Sequence, residues 1–129
     1  MNTVYANPTH TRNIMTFCAP QYKAEYLTEA LLEVLNNQWK VDGIESGRSV
    51  YTQLEYEVGR KYIKVWSYLV VGSDVRNGRD CWMFVDKNDG ACYKPASYKA
   101  PAKGIRFWID QLADNPGICD PYGSFLYIR

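Results

Sequence analysis

The stretch Cys81–Arg106, CWMFVDKNDGACYKPASYKAPAKGIR, constrains the fold more than any other part of the chain. Lys87-Asn88-Asp89-Gly90 is a turn, because Asn and Asp bond their own backbone and Gly takes positive φ without steric cost. Trp82–Val85 leads into it and Cys92-Tyr93 leads out, so the segment reads as a β-hairpin with Val85 opposite Cys92. Alternation places Met83 and Val85 on one side of the first strand and Trp82 and Phe84 on the other. Pro95 has no N–H for a ladder and ends the returning strand or holds it at an edge. A residue before proline is pushed out of the helical region, which predicts an extended connector from Pro95 to Pro101. Pro101 suits the first turn of a helix.

Upstream, the alternation continues. Leu54, Tyr56 and Val58 share one side of Tyr51–Val58, with Gln53, Glu55 and Glu57 on the other. In Arg60–Val71, Tyr62, Lys64, Trp66 and Tyr68 oppose Ile63, Val65, Leu69 and Val71. Asn77-Gly78 marks a hairpin. These runs predict an antiparallel meander.

Two helices flank it. Pro20–Trp39 carries Leu27, Leu31, Val34 and Leu35 at helical spacing, with Glu25, Glu29 and Glu33 on a solvated face. Ala102–Ala113 carries Ile105, Trp108, Ile109 and Leu112 at i, i+3, i+4 and i+7, and Asn115-Pro116-Gly117 stops it. The expected fold class is α+β: an antiparallel β-meander of about four or more strands with two helices packed on one face. Leu27, Leu31, Ile63, Val65, Val85 and Trp108 are the expected core. The tail run Phe125–Ile128 adds an edge strand or covers a core edge.

The chain has 129 residues, so residues 1–129 are expected to form a single domain. At 47% hydrophobic and 22% charged it is globular rather than disordered. Fifteen Lys+Arg stand against 14 Asp+Glu, so bulk charge points to no nucleic-acid partner, and electrostatic recognition must rest on local clusters. Cys18, Cys81, Cys92 and Cys119 form no C-x-x-C pair, and Cys81 is offset from Cys92 across the turn. Four free thiols of a reducing compartment are expected. Neither a leader nor a long apolar run is present, so no membrane partner is expected.

No catalytic constellation emerges. His10 lies in a Thr-rich loop, Ser67, Ser73 and Ser97 have no histidine at motif spacing, and the glycines are isolated turn residues, so no enzyme activity and no cofactor are expected. Asp74, Asp80, Asp86 and Asp89 lie near turns. Turn chemistry accounts for Asp86 and Asp89, and no metal site is expected.

One window does carry a chemical signal. From Gly90 to Ile109 there is no acidic residue. Lys94, Lys99, Lys103 and Arg106 fall there, interleaved with Tyr93, Tyr98, Phe107 and Trp108. With a helix beginning near Pro101, Lys99 and Lys103 would flank a helix N-terminus, whose free N–H groups already favour anions. Lys94, Tyr98, Lys99, Lys103 and Arg106 are therefore the candidate ligand-binding residues, for a phosphate with a base stacked on Tyr98. A solvated basic loop that keeps an edge soluble is the plain alternative.

The run Phe84-Val85-Asp86-Lys87, Gly90 and Tyr93–Gly104 resembles a segment of small tailed-bacteriophage proteins, approximately F-V-D-x-x-T-G-x-V-Y-K-x-A-S-W-K-A-P-A-K. The match spans Trp82–Arg106, about a fifth of the chain, with Asp89 in place of the usual Thr and Tyr98 where Trp is common. The resemblance implies a phage gene product acting in the host bacterial cytoplasm, and implies no catalytic residues. The expected function is non-enzymatic binding of an anionic ligand, a nucleotide signal or single-stranded nucleic acid, in replication or counter-defence. The alternative is a structural or interaction protein that docks on a phage or host protein through its Tyr-rich sheet.

Overall fold

The computed structural model describes residues 20–72 and 75–127. Helix α1 spans Pro20–Glu45. Strands β1 (Val50–Val58), β2 (Tyr62–Val71), β3 (Val75–Asp86), β4 (Ala91–Tyr93) and β5 (Phe107–Trp108) follow. The six-residue helix α2, Ile109–Asp114, comes next, with single 3-10 turns at Pro116–Ile118 and Ser124–Leu126. The five strands form one antiparallel sheet in sequence order. The chain is thus the α+β meander its periodicity predicts.

The core lies between α1 and the sheet. Leu27, Leu31, Leu32 and Leu35 of α1 meet Leu54, Ile63, Val65, Met83 and Val85. Leu32 is buried and Val34 is exposed, the reverse of the expected stripe. The buried positions 24, 27, 28, 31, 32 and 35 lie on one side of the wheel, and Val34 falls outside that arc. Thr28 is buried without cost because its Oγ1 donates to Ala24 O at 2.8 Å.

α1 also protects a sheet edge. β1 has a neighbour on one side only, and an edge strand leaves backbone groups unpaired. The Leu54 N–H donates to Asn36 Oδ1 at 2.8 Å, and Asn36 Nδ2 donates to Leu54 O at 3.0 Å. At its far end the helix continues six residues past Trp39 to Glu45. Gly43 belongs there because a Cβ would sit 2.8 Å from Val50 O and 2.9 Å from the Tyr51 Cβ.

Two irregularities bend β3. The register passes from Val65↔Met83 to Trp66↔Cys81, skipping Trp82. The bulge turns Trp82 into the core beside Met83 instead of opposite it. A second shift lies between Ser67 and Leu69, next to Gly78 at φ +72. Asn77-Gly78 is therefore a bulge inside β3, not a hairpin tip. The Asn88-Asp89 hairpin has the expected register, Val85↔Cys92. Asp86 Oδ1 accepts the Asn88 N–H and Asp89 Oδ1 the Ala91 N–H, at 2.8 and 2.9 Å.

The second helix departs most from expectation. Phe107 and Trp108 pair with Cys92 and Ala91 as β5, and α2 starts only at Ile109. Trp108 is half-buried rather than core. Its N–H donates to Gln111 Oε1 at 2.9 Å, which caps the short helix. The tail covers a core edge: Leu126 is fully buried and Phe125 packs on Trp82 and Phe107. Cys81, Cys92 and Cys119 are free thiols. Cys18 and His10 lie outside the described residues, as do Asp74 and Ile128.

Candidate functional site

The segment after β4 closes on itself. Pro95 and Pro101 form an antiparallel bridge. Ala96 N–H and Ser97 N–H both donate to Ala100 O, and Ala102 N–H donates to Lys94 O at 2.7 Å. Each proline sits where a donor is not needed, so the loop pinches shut instead of running extended to a helix. The correction matters for chemistry. No helix begins near Pro101, so Lys99 and Lys103 flank no helix N-terminus.

The five residues singled out by the sequence separate. Arg106 serves the backbone: its Nε donates to Leu126 O at 2.7 Å, and Nη1 donates to Lys103 O and Gly104 O at 2.7 and 2.6 Å. It ties the loop's end to the C-terminal tail. Tyr98 and Lys99 share the loop tip, the Lys99 ammonium 5.6 Å from the Tyr98 ring centre. Lys103 is exposed in the bend that follows Pro101. Lys94 turns the other way, with its Nζ 4.8 Å over the Tyr127 ring and 3.3 Å from Pro95 O.

Lys94 and Tyr127 border a cleft of about 430 Å³ between the sheet and the tail. Ser67, Asn77 and Asp80 line it from β2 and β3, together with Trp82, Pro95, Tyr122 and Gly123. Tyr122 is 90% exposed at the rim. Its volume falls in the range of small-molecule sites. The cleft thus offers the Lys94 cation, the rings of Tyr68, Tyr122 and Tyr127, the Asp80 carboxylate and further hydrogen-bonding groups, so a planar ring can stack there with an anionic group at the Lys94 end.

Asp120 builds the tail wall. Its carboxylate accepts the N–H groups of Tyr122, Ser124 and Phe125 at 3.0, 3.2 and 3.0 Å. Partial burial pushes its pKa up, but the Ser124 hydroxyl and those N–H groups outweigh it and hold the carboxyl below its ordinary value. Trp82 Nε1 donates to Asp120 O at 3.2 Å, which fixes the wall to the sheet. Gly123 turns the chain at φ +74, where a side chain would be strained.

Cys81 also lines the cleft, and burial pushes its thiol up to about 11, despite Lys64 and Arg79 pulling the other way. Burial pushes Cys119 up to about 12. Both stay protonated at neutral pH and are poor nucleophiles there.

Across Pro95 lies a second, more open cleft lined by Trp66, Arg79 and Tyr98. It opens onto the sheet face where the Arg79 guanidinium stacks 3.7 Å over Trp66 and Arg76 lies 4.1 Å over Tyr68. Both arginines are paired, Arg79 to Glu57 at 2.7 Å and Arg76 to Glu55. Lys64 Nζ donates to Tyr98 O, anchoring the loop over this face. Among the described residues, no group of three or more His, Cys, Asp or Glu side chains is placed to hold a metal ion. None of the described helices is long and apolar enough to cross a membrane.

Sequence reasoning missed Tyr122, Tyr127, Asp120, Arg76 and Arg79. A signal existed for three of them. Asp120 precedes Pro-Tyr-Gly-Ser, the pattern of a carboxylate that caps its own turn. Arg76 and Arg79 lie in the strand beside the aromatic positions of β2. Tyr127 carried no signal, because only tertiary packing brings it to Lys94.

No curated protein and no solved structure matches the chain. A family model described as a Family of unknown function (DUF7717) matches residues 5–128. That match covers nearly the whole sequence, and the chain belongs to this family.

Proposed function

We propose that this is a non-enzymatic bacteriophage protein that binds a nucleotide unit, free or within a single strand, in the cleft between the sheet and the C-terminal tail. The observation that carries this is the Lys94 ammonium held over the Tyr127 ring, at the border of a cleft that Tyr122 also lines. A base stacks on a tyrosine, a phosphate meets Lys94, and Ser67, Asn77 and Asp80 face the base edge. Stacking contributes about 1–3 kcal/mol per base. Tyr98, Lys99 and Lys103 lie beyond Pro95, where a longer strand would continue, and Arg106 holds the tail in place. The phage setting, in the cytoplasm of an infected bacterium, rests on the likeness of the Trp82–Arg106 segment to phage proteins. Replication and the sequestering of a host signal both fit such a binder.

The test is titration with mono-, di- and cyclic nucleotides and with short single-stranded DNA and RNA, against wild type and Lys94→Ala/Tyr127→Ala. A loss of about tenfold or more for one ligand class supports the site and names the class. Equal binding by the double variant rejects it.

A second reading has its own support. Trp, Tyr and Arg are enriched at protein interfaces, and on the sheet face away from α1 Arg76 lies over the half-buried Tyr68 and Arg79 covers the buried Trp66. A phage or host protein would dock there. Salt separates the two: strand binding weakens steeply with added salt, whereas an apolar contact does not.

A further inference from the structure

α1 carries a second apolar stripe that the core does not use. Tyr26, Val34, Val41 and Ile44 are between 47% and 63% exposed. At 100° per residue they lie, with Ala30 and Asn37, about 140° around the helix from the buried stripe. Positions 30, 34, 37, 41 and 44 follow each other at steps of four, three, four and three. That spacing keeps the row on one face of α1, opposite the stripe that packs on the sheet, and over these two heptads it is the spacing a seam between two helices needs. Exposed apolar side chains in such a contiguous row mark an interaction surface.

The flanks say what the partner is. Glu33 and Lys40 border the seam on one side, Gln38 and Glu45 on the other. In a parallel pair of identical helices the residue before a seam position meets the residue five further on in its partner. Lys40 then meets Glu45 of the other copy, twice by symmetry, and Glu33 meets Gln38. Asn37 lies in the middle of the seam. In the parallel arrangement it faces its own copy, and each amide can donate to and accept from the other. In the antiparallel arrangement that overlaps positions 34–44 it would face Val41, leaving a polar group against a methyl.

We propose that the protein forms a parallel two-fold dimer through the outer face of α1, with Val34, Val41 and Ile44 as the apolar layers and Asn37 setting the register. The seam shares no residue with the cleft and stands or falls independently of the nucleotide proposal.

Sedimentation velocity of the full chain, up to about 0.2 mM, reads the equilibrium directly. Wild type should shift from monomer to dimer with concentration, and Val34→Glu/Val41→Glu should stay monomeric with an unchanged circular-dichroism spectrum and, at concentrations where the wild type is monomeric, an unchanged urea midpoint. Asn37→Cys should cross-link to a covalent dimer under oxidation that leaves the parent protein uncross-linked. A wild type that stays monomeric throughout, or a double variant that dimerises equally, overturns the proposal. A dimer in which Asn37→Cys does not cross-link overturns the parallel register.

Discussion

Asn36 joins α1 to the sheet edge by hydrogen bonds at both ends of its amide. Replacing it by Ala removes the acceptor of the Leu54 N–H and the donor to Leu54 O. Both backbone groups are part-buried beneath the helix. A net hydrogen bond contributes about 0.5–1.5 kcal/mol, and a buried group left unpaired costs about 1–3 kcal/mol. The two bonds are only part-buried, so the lower half of that range applies to each group, and Asn36→Ala should cost about 2–4 kcal/mol. Asn36→Asp separates the two bonds. It keeps the acceptor but places a carboxylate against Leu54 O, so it should rescue none of the loss. Asn36→Leu restores volume without either bond and should be no better than Ala. Urea unfolding followed by circular dichroism gives the three values at constant slope. A loss below about 0.5 kcal/mol for Asn36→Ala, the scale of an ordinary surface substitution, would mean that the edge is satisfied by solvent and the bolt has no energetic role.

Three further outcomes follow from the same structure. Leu31, 1% exposed, should lose about 2–5 kcal/mol on truncation to Ala, while Val34→Ala, on the outer stripe, should change monomer stability by less than about 0.5 kcal/mol in urea unfolding. Asp120 has a folded pKa below its unfolded value, so its contribution is complete above the ordinary carboxylate range and disappears as pH falls through the folded pKa. The stability gap between wild type and Asp120→Ala should therefore be flat near neutrality and close on acidification; a gap that widens toward low pH would contradict the assigned hydrogen bonds. Cys92 and Cys119 are buried, so in native protein at pH 8 they should resist alkylation, whereas the unfolded chain should titrate all four cysteines; two or fewer reactive thiols after unfolding without reductant would reveal a disulfide.

Local signals specified the meander well. Alternation located β1 and β2, and the Asn88-Asp89 turn fixed the Val85–Cys92 register because turn length leaves one pairing that keeps both side chains in the core. Long-range pairing defeated the local signal elsewhere. Ile105, Trp108, Ile109 and Leu112 have helical spacing, yet Phe107 and Trp108 complete the sheet beside β4, and only the last two enter α2. Trp82 broke alternation because a bulge adds one residue to β3, which no two-residue period reveals. α1 runs past Trp39 to Glu45 through Gly43, whose lack of a side chain the close approach of β1 requires and which local helix-stop chemistry does not distinguish from an exit. Of the five candidate ligand residues, the basic window located Lys94 and the loop tip. It did not show that Arg106 is bound to three carbonyls, nor that Lys94 packs on Tyr127 of the tail and that no helix begins near Pro101.

The central claim is that Lys94 and Tyr127 form the working edge of a nucleotide-binding cleft. Its most direct test is isothermal titration of nucleotides and short single strands into wild type and into Lys94→Ala/Tyr127→Ala, with the Lys99→Ala/Lys103→Ala variant alongside. At least one nucleotide or strand should bind wild type at micromolar concentration and lose about tenfold or more in the Lys94/Tyr127 variant. Absence of binding by wild type to every ligand tried, or binding that depends only on Lys99 and Lys103, would contradict the cleft as the site.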